Sequence, residues 1–289
     1  MMTSIKKHVK NKQLFNKGPD MSEREIKNVI FMGKKPLAVS AFEYLLQRGI
    51  NVKLVVAMVD EPFENNLANA ALSHGIPLYT DPKEIYELID SGDEMFRDVD
   101  LVISYLFWKR MKNGLIKLPK WGCVNFHPAP LPDYKGRAGY NTAILDKRDD
   151  FGVSAHFIDS EEFDVGPIIK VTKFKIEHDK ETAYSLEAKS QQKMLELFKE
   201  VINLFTSNEE IQISPNSGGL HLTGEQLEEM KKVDLAKDSA EEIDRKVRAF
   251  FFPPYTGAKL IVGEKEFTLV NQGILNLFHE KINKKLPNS

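Results

Sequence analysis

The chain has 289 residues, 42% hydrophobic and 28% charged, with a formal charge of −2 and a pI near 6.4. That balance suits a globular protein with a substantial core, and it carries no bulk cationic signal for nucleic acid or an anionic membrane. The single cysteine, Cys123, excludes an intramolecular disulfide and a cysteine-based zinc site, and it fits a reducing, cytoplasmic setting. No run of eighteen apolar residues exists, so no spanning helix and no membrane partner are expected. The lysines at 6, 7, 10, 12 and 17 are not followed by an apolar signal core; residues 1–26 read as an extension outside the fold, with Met21 an alternative start.

Asn28-Val29-Ile30-Phe31-Met32-Gly33 predicts a buried first strand ending in a glycine turn, and Pro36 opens a helix carrying Leu37, Phe42, Leu45 and Leu46 at near-helical spacing. A second strand follows over 52–59, a short helix over 67–74 closed by Gly75, an edge segment over 76–79 and a helix around 85–89. Leu101 to Tyr105 and Cys123 to His127 are two further strands. Strands and helices alternating at these intervals give a Rossmann-like, doubly wound and mostly parallel α/β sheet. The first turn, Gly33-Lys34-Lys35-Pro36, lacks Gly-x-Gly-x-x-Gly, which disfavours a dinucleotide there. Two strands over 153–158 and 168–174 and a long helix over 181–205 complete a main unit over 27–213. Ser214-Pro215-Asn216-Ser217-Gly218-Gly219 marks a boundary to a small α+β module over 214–289. In it, Ser239 and Glu242 form a capping box, Pro253-Pro254 ends the helix, and a hairpin turns at Gly263.

The chemistry concentrates in Asn125-Phe126-His127-Pro128. Side chains two apart on a strand share a face, roughly 6–7 Å apart, and Pro128 cannot continue a central ladder. An amide donor and a base therefore stand at a strand's carboxyl end, where open α/β sheets bind ligands. An amine attacking a one-carbon acyl donor needs both. The carbonyl oxygen that gains charge needs a donor such as Asn125, worth on the order of 3 kcal/mol. The ammonium must lose its proton to a group titrating near neutrality, such as His127. A carboxylate would orient the ring, and two are in place for it: Asp164, at a turn entering a strand, and Asp159, at the end of the preceding one. Taken alone, His127 also suits a structural histidine and Asp164 a turn former.

Asn125-Phe126-His127-Pro128 through Leu131-Pro132, then Gly136-Arg137-Ala138 and Asp164-Val165-Gly166, resemble the signature of the folate-dependent formyltransferases: Asn-x-His-x-x-x-Leu-Pro, Arg-Gly, and Asp-x-Gly downstream. The similarity runs from about residue 28 to 270 and takes in Arg248-Ala249-Phe250 and Pro254-Tyr255-Thr256-Gly257-Ala258; the Ser160-Glu161-Glu162 turn is one residue longer than usual. The resemblance implies N10-formyltetrahydrofolate as formyl donor, a primary amine as acceptor, no metal, and a homodimer. Asn125, His127 and Asp164 map onto the family's catalytic trio. Tyr105, Leu106, Phe107 and Trp108 map onto the wall of the pterin slot, with Asp159 in the loop opposite. For Phe107 and Trp108, plain core packing is the alternative.

Three branches of that family differ in the amine. Glycinamide ribonucleotide transformylases carry a glycine- and serine-rich phosphate loop where this chain has Gly33-Lys34-Lys35-Pro36. Methionyl-tRNA formyltransferases insert a basic loop after strand two, whereas residues 60–66 here are short and acidic and would repel phosphates. Residues 127–134 and 152–157 are most similar to the nucleotide-sugar N-formyltransferases, which act on amino-dideoxy sugars for surface polysaccharides. This reading makes the partner a nucleotide-linked amino sugar rather than a nucleic acid. Arg137, Tyr140 and Asn141 are the candidate sugar or diphosphate contacts, with a surface salt bridge the alternative for Arg137. A dinucleotide-dependent oxidoreductase or a purely binding protein is the reading from another class.

Overall fold

Seven strands form the central sheet of the computed structural model, which describes residues 25–62, 65–207 and 209–276. Residues 1–24, most of the expected extension, and Phe63-Glu64 of the acidic loop lie outside the described residues. In chain order the strands of this sheet are β1 (Asn28–Gly33), β2 (Asn51–Val56), β3 (Leu78–Tyr79), β4 (Leu101–Tyr105), β5 (Cys123–His127), β7 (Asp150–Ile158) and β8 (Ile168–Lys175). Between the fifth and the seventh lies β6 (Tyr134–Lys135), which belongs to a separate ribbon. The spatial order is β3-β2-β1-β4-β5-β7-β8, parallel through β5 and antiparallel for the last two pairings. The order reverses between β1 and β4, so the loops after β1, β4 and β5 open onto one crevice at the strands' carboxyl ends.

Alternation along β1 divides the core into two layers. Val29 and Phe31 face the layer that holds Phe42, Leu45 and Phe198, while Ile30 and Met32 face the one that holds Ile85, Phe96 and Leu115. Helix α1 (Pro36–Gln47) covers the first face and α3 (Pro82–Ser91) the second, with α2 (Leu67–Ser73) and α4 (Asn113–Ile116) in the intervening connections. The 24-residue α6 (Ala183–Thr206) is started by a capping box in which Thr182 and Ser185 exchange side-chain and backbone hydrogen bonds. It buries Leu186, Met194, Leu197, Phe198, Val201 and Phe205. Phe198 is the hub of this layer, its ring centroid 4.9 Å from Phe126, 5.8 Å from Tyr105 and 6.2 Å from Phe31.

The segment after residue 214 does not stand apart from this layer. Ser214 bridges Ile168, β9 (Leu220–His221) pairs with β6, and Val247, Ala249 and Phe250 share a core cluster with Ile144, Phe151 and Leu186. Ile144 belongs to α5 (Gly139–Leu145), and Val247, Ala249 and Phe250 belong to α8 (Ala240–Phe250), which opens on the expected Ser239–Glu242 box. A short α7 (Gly224–Met230) precedes it, and β10 (Lys259–Val262) with β11 (Lys265–Thr268) forms the hairpin. Among the described residues no helix is long and apolar enough to cross a membrane.

Phe198→Ala removes a ring that four aromatic neighbours close upon, and it should lower unfolding stability by about 3–5 kcal/mol in urea denaturation. A loss below about 1 kcal/mol would mean that α6 is not the keystone of the layer.

Candidate active site

On β5, Val124 and Phe126 point into the α6 layer, which leaves Asn125 and His127 on the other face, at the strand's end. The antiparallel register sets His156 of β7 opposite Asn125 and Ser154 opposite His127. Between β7 and β8 the chain turns through Asp164, whose φ of 54° lies in the left-handed region that aspartate tolerates better than most side chains. Gly166 allows the return: a Cβ there would sit 1.9 Å from the Phe157 carbonyl oxygen.

That turn carries the Asp164 carboxylate over the end of β5. Its Oδ1 lies 3.3 Å from Asn125 Nδ2, 3.4 Å from His127 Nδ1 and 3.3 Å from His156 Nε2. Its Oδ2 accepts the Gly136 amide at 2.9 Å. Burial alone would push this carboxyl up; His127, then His156 and the Gly136 N–H, overcome it and hold Asp164 well below the usual carboxylate range. Asp164 is therefore the standing negative charge of the site. For His127 burial wins in the opposite sense: it lowers the imidazole below its ordinary value, against the pull of Asp164, with His156 adding to the lowering. The ring stands between two acceptors, Asp164 Oδ1 and the Tyr134 carbonyl oxygen 3.0 Å from Nε2. A neutral ring donates to one of them, and a captured proton serves the second. His127 is thus a neutral base at rest, with an acceptor beside each ring nitrogen for the proton it takes up.

Asn125 is held as firmly. Ser104, its neighbour on β4, donates its hydroxyl to Asn125 Oδ1 at 2.6 Å, turning the NH2 toward His156 Nε2 at 3.0 Å and Asp164. To donate to a developing oxyanion, Asn125 gives up one of those two bonds. Asn216 clasps the Asp164 turn from outside, its Nδ2 donating to the carbonyl oxygens of Asp164 at 3.0 Å and Gly166 at 2.9 Å. Sequence reasoning missed His156, Ser104 and Asn216. The first two had a visible signal, a polar side chain interrupting the apolar runs 101–105 and 153–158; Asn216 sits in what reads as a linker.

The trio borders a cavity of about 540 Å³, within the range of roughly 300–1,000 Å³ common for small-molecule sites. Leu106, Phe107, Trp108, Arg110 and Met111 line one wall; Ile158 and Ser160 to Asp164 line the facing one; Arg137, Lys34, His221 and Thr223 line the rest. Glu161 ties the two loops across the mouth by accepting from the Asn113 backbone and side-chain nitrogens, and Arg110 lies over Phe163 at 5.2 Å. Leu106, at φ 57°, turns the chain off β4 so that Phe107 and Trp108 present a ring wall. Ring walls of this kind suit a flat, partly polar ligand.

Of the other expected contacts, Leu106, Phe107, Trp108 and Arg137 are brought to this cavity. The Tyr105 side chain is placed in the core against Phe31, Phe126 and Phe198, because at the last residue of β4 the alternation sends it to the α6 layer. Tyr140 packs against Phe151 and Phe252, and Asn141 donates to the Ala249 carbonyl oxygen; both serve the seam between α5 and α8, away from the cavity. Asp159 is an exposed residue at the start of the turn, its carboxyl raised chiefly by partial desolvation, and it does not line the cavity. Among the described residues no cluster of three or more His, Cys, Asp or Glu could hold a metal.

Residues 28–202, β1 through nearly all of α6, match the formyl transferase family, and the chain belongs to that family. A methionyl-tRNA formyltransferase of Bacillus cereus is 26% identical over 227 residues, 76% of this chain and 71% of that protein. A solved 4-N formyltransferase from Francisella tularensis superposes with a TM-score of 0.70 at 22% identity, over 88% of this chain and 98% of the other. An N-formyltransferase from Helicobacter canadensis, solved with folinic acid and dTDP-3-aminofucose, gives 0.65 at 24% identity over 83% and 85%.

With burial dominating, the His127 ring should titrate with a midpoint below about 6.5 in the free enzyme, so the neutral base predominates at pH 7 and is lost as pH falls. An NMR titration of its Cε1–H, assigned with His127→Asn, reads this directly. A midpoint above 6.5 would mean that the Asp164 charge outweighs burial.

Proposed function

We propose that the enzyme transfers a formyl group from N10-formyltetrahydrofolate to the amine of a nucleotide-linked amino-dideoxy sugar. The observation that carries the reading is the convergence of Asn125, His127 and Asp164 beside a cavity with an aromatic wall. The donor supplies an activated one-carbon acyl group, and the protein's own residues do the rest. Leu106, Phe107 and Trp108 face the 160–164 turn and suit a flat donor held with its formyl end toward Asn125. Asn125 supplies the N–H for the oxygen that gains charge. His127 takes the proton the attacking amine sheds, Asp164 keeps the ring aimed and steadies the imidazolium, and a proton passes to N10 of the donor as the bond from N10 to the formyl carbon breaks and tetrahydrofolate leaves.

The sugar acceptor is supported by the superposition with sugar N-formyltransferases and by the acidic connection after β2, where Glu61 folds back onto the Lys35 amide at 2.8 Å. A loop that grips an acceptor stem would carry the opposite charge. The second reading, a methionyl-tRNA acceptor, rests on the Bacillus relative. Thymidine- and uridine-linked amino sugars and charged initiator tRNA, each supplied with the folate donor, decide between them. Folate product should accumulate with an amino sugar nucleotide and not without one; accumulation with the tRNA alone sinks the sugar reading.

Two substitutions test the roles. His127→Asn should cut turnover by roughly two or more orders of magnitude with the fold intact by circular dichroism. Asp164→Asn should be comparably severe, because one change removes the ring's orienter and the charge beside it. A variant of His127 that turns over near wild type would retire it as the base.

A further inference from the structure

The turn after β1 carries a cation that neither the catalytic trio nor the packing of the fold employs. Lys34 is half-buried and lines the same cavity as Asn125, His127 and Arg137, yet among the described residues it makes no ion pair and no side-chain hydrogen bond. The two carboxylates whose charge reaches it are engaged by its neighbour: Glu61 Oε1 accepts the Lys35 amide at 2.8 Å, and Glu187 Oε1 lies 3.4 Å from Lys35 Nζ. The second oxygen of Glu61 is buried and has no hydrogen-bond partner among the described residues. Burial, then the charge of Lys35, holds the Lys34 ammonium below its ordinary value, and Arg137 pushes the same way. A lysine kept partly from water beside two more cations is unfavourable for folding and gains nothing structural in return.

The backbone is set to keep it there. Lys35 has φ 77° and ψ 154°, a region that only glycine adopts readily, and Lys34 donates its own amide to the Tyr105 carbonyl oxygen at 3.2 Å, bolting the turn to the end of β4. Such a conformation persists only where the surroundings over-determine it, and functional sites are where it collects. The turn also lacks the run of glycine amides that would cradle a phosphate through the backbone, so any anion met here is met by side chains.

We infer that Lys34 and Arg137 together seat the diphosphate of the acceptor, placing the nucleotide across the cavity from the aromatic wall; this rests on the reading of a nucleotide-linked acceptor. A compact ammonium and a forked guanidinium suit the non-bridging oxygens of a diphosphate, and an anion with two charges relieves the mutual repulsion of the cations. A phosphodiester of tRNA shares part of this chemistry, and the test separates the two.

Isothermal titration of the full chain with dTDP, UDP and inorganic pyrophosphate is the measurement. Wild type should bind the diphosphates, and Lys34→Gln and Arg137→Gln should each weaken dTDP about ten- to a hundredfold, the span of a charged hydrogen bond. Lys34→Arg should stay within a few-fold of wild type, and binding of 5-formyltetrahydrofolate by every variant reports an intact cavity. Unchanged dTDP affinity in Lys34→Gln overturns the inference; so does a Lys34→Arg variant as weak as Lys34→Gln while still binding the folate. Should Lys34→Gln not fold, unchanged affinity in Arg137→Gln overturns it instead. If wild type formylates nucleotide-linked amino sugars and Lys34→Gln keeps their KM, this inference alone fails. If wild type binds no nucleoside diphosphate and formylates charged initiator tRNA, the acceptor reading fails with it.

Discussion

A buried carboxylate is costly unless every lone pair finds a partner, and Asp164 shows how this chain meets that condition. Nitrogens from two adjacent strands approach one of its oxygens and a backbone amide takes the other, while Asn216 pins the peptide on either side of the turn. Asn125, His127 and His156 each have a second partner, in Ser104 and the carbonyl oxygens of Tyr134 and Phe157, and the carboxylate draws the three together. The charge organises the donors and the donors keep the charge, so each catalytic group is oriented by the same contact that stabilises it.

The fold supplies the geometry that this contact needs. β5 is the last parallel strand, and β7 runs antiparallel beside it, so the carboxyl end of one meets the body of the other. Asn125 and His156 become direct cross-strand neighbours, and the connection from β7 to β8 begins near enough to arch over both. A further parallel strand would have brought its own carboxyl end there and left no reason for the chain to turn back across the site.

Much of this could be read from residues alone. Short apolar runs bounded by turn residues marked the strands, Ser239 with Glu242 marked a helix start, and an amide two residues before an imidazole placed both on one face. What escaped depended on pairing across the chain. His156 becomes part of the site through its register with Asn125, and Asn216 through a clasp spanning 52 residues. Tyr140 and Asn141 follow Arg137 closely in sequence, but α5 winds them away toward α8, and Tyr105 differs from Leu106 in face as well as in number. Proximity along the chain was a poor guide wherever a helix began or a strand ended.

The family's common portion closes at residue 202, but the cavity does not. Asn216 braces the catalytic turn, and His221, Leu222, Thr223 and Gly224 complete the wall from beyond that limit. The lining of the cavity is thereby shared between the family's common portion and the stretch that follows it. Substitutions beyond residue 202 can therefore reshape part of that wall without touching the catalytic strand, so long as Asn216 keeps its hold on the Asp164 turn.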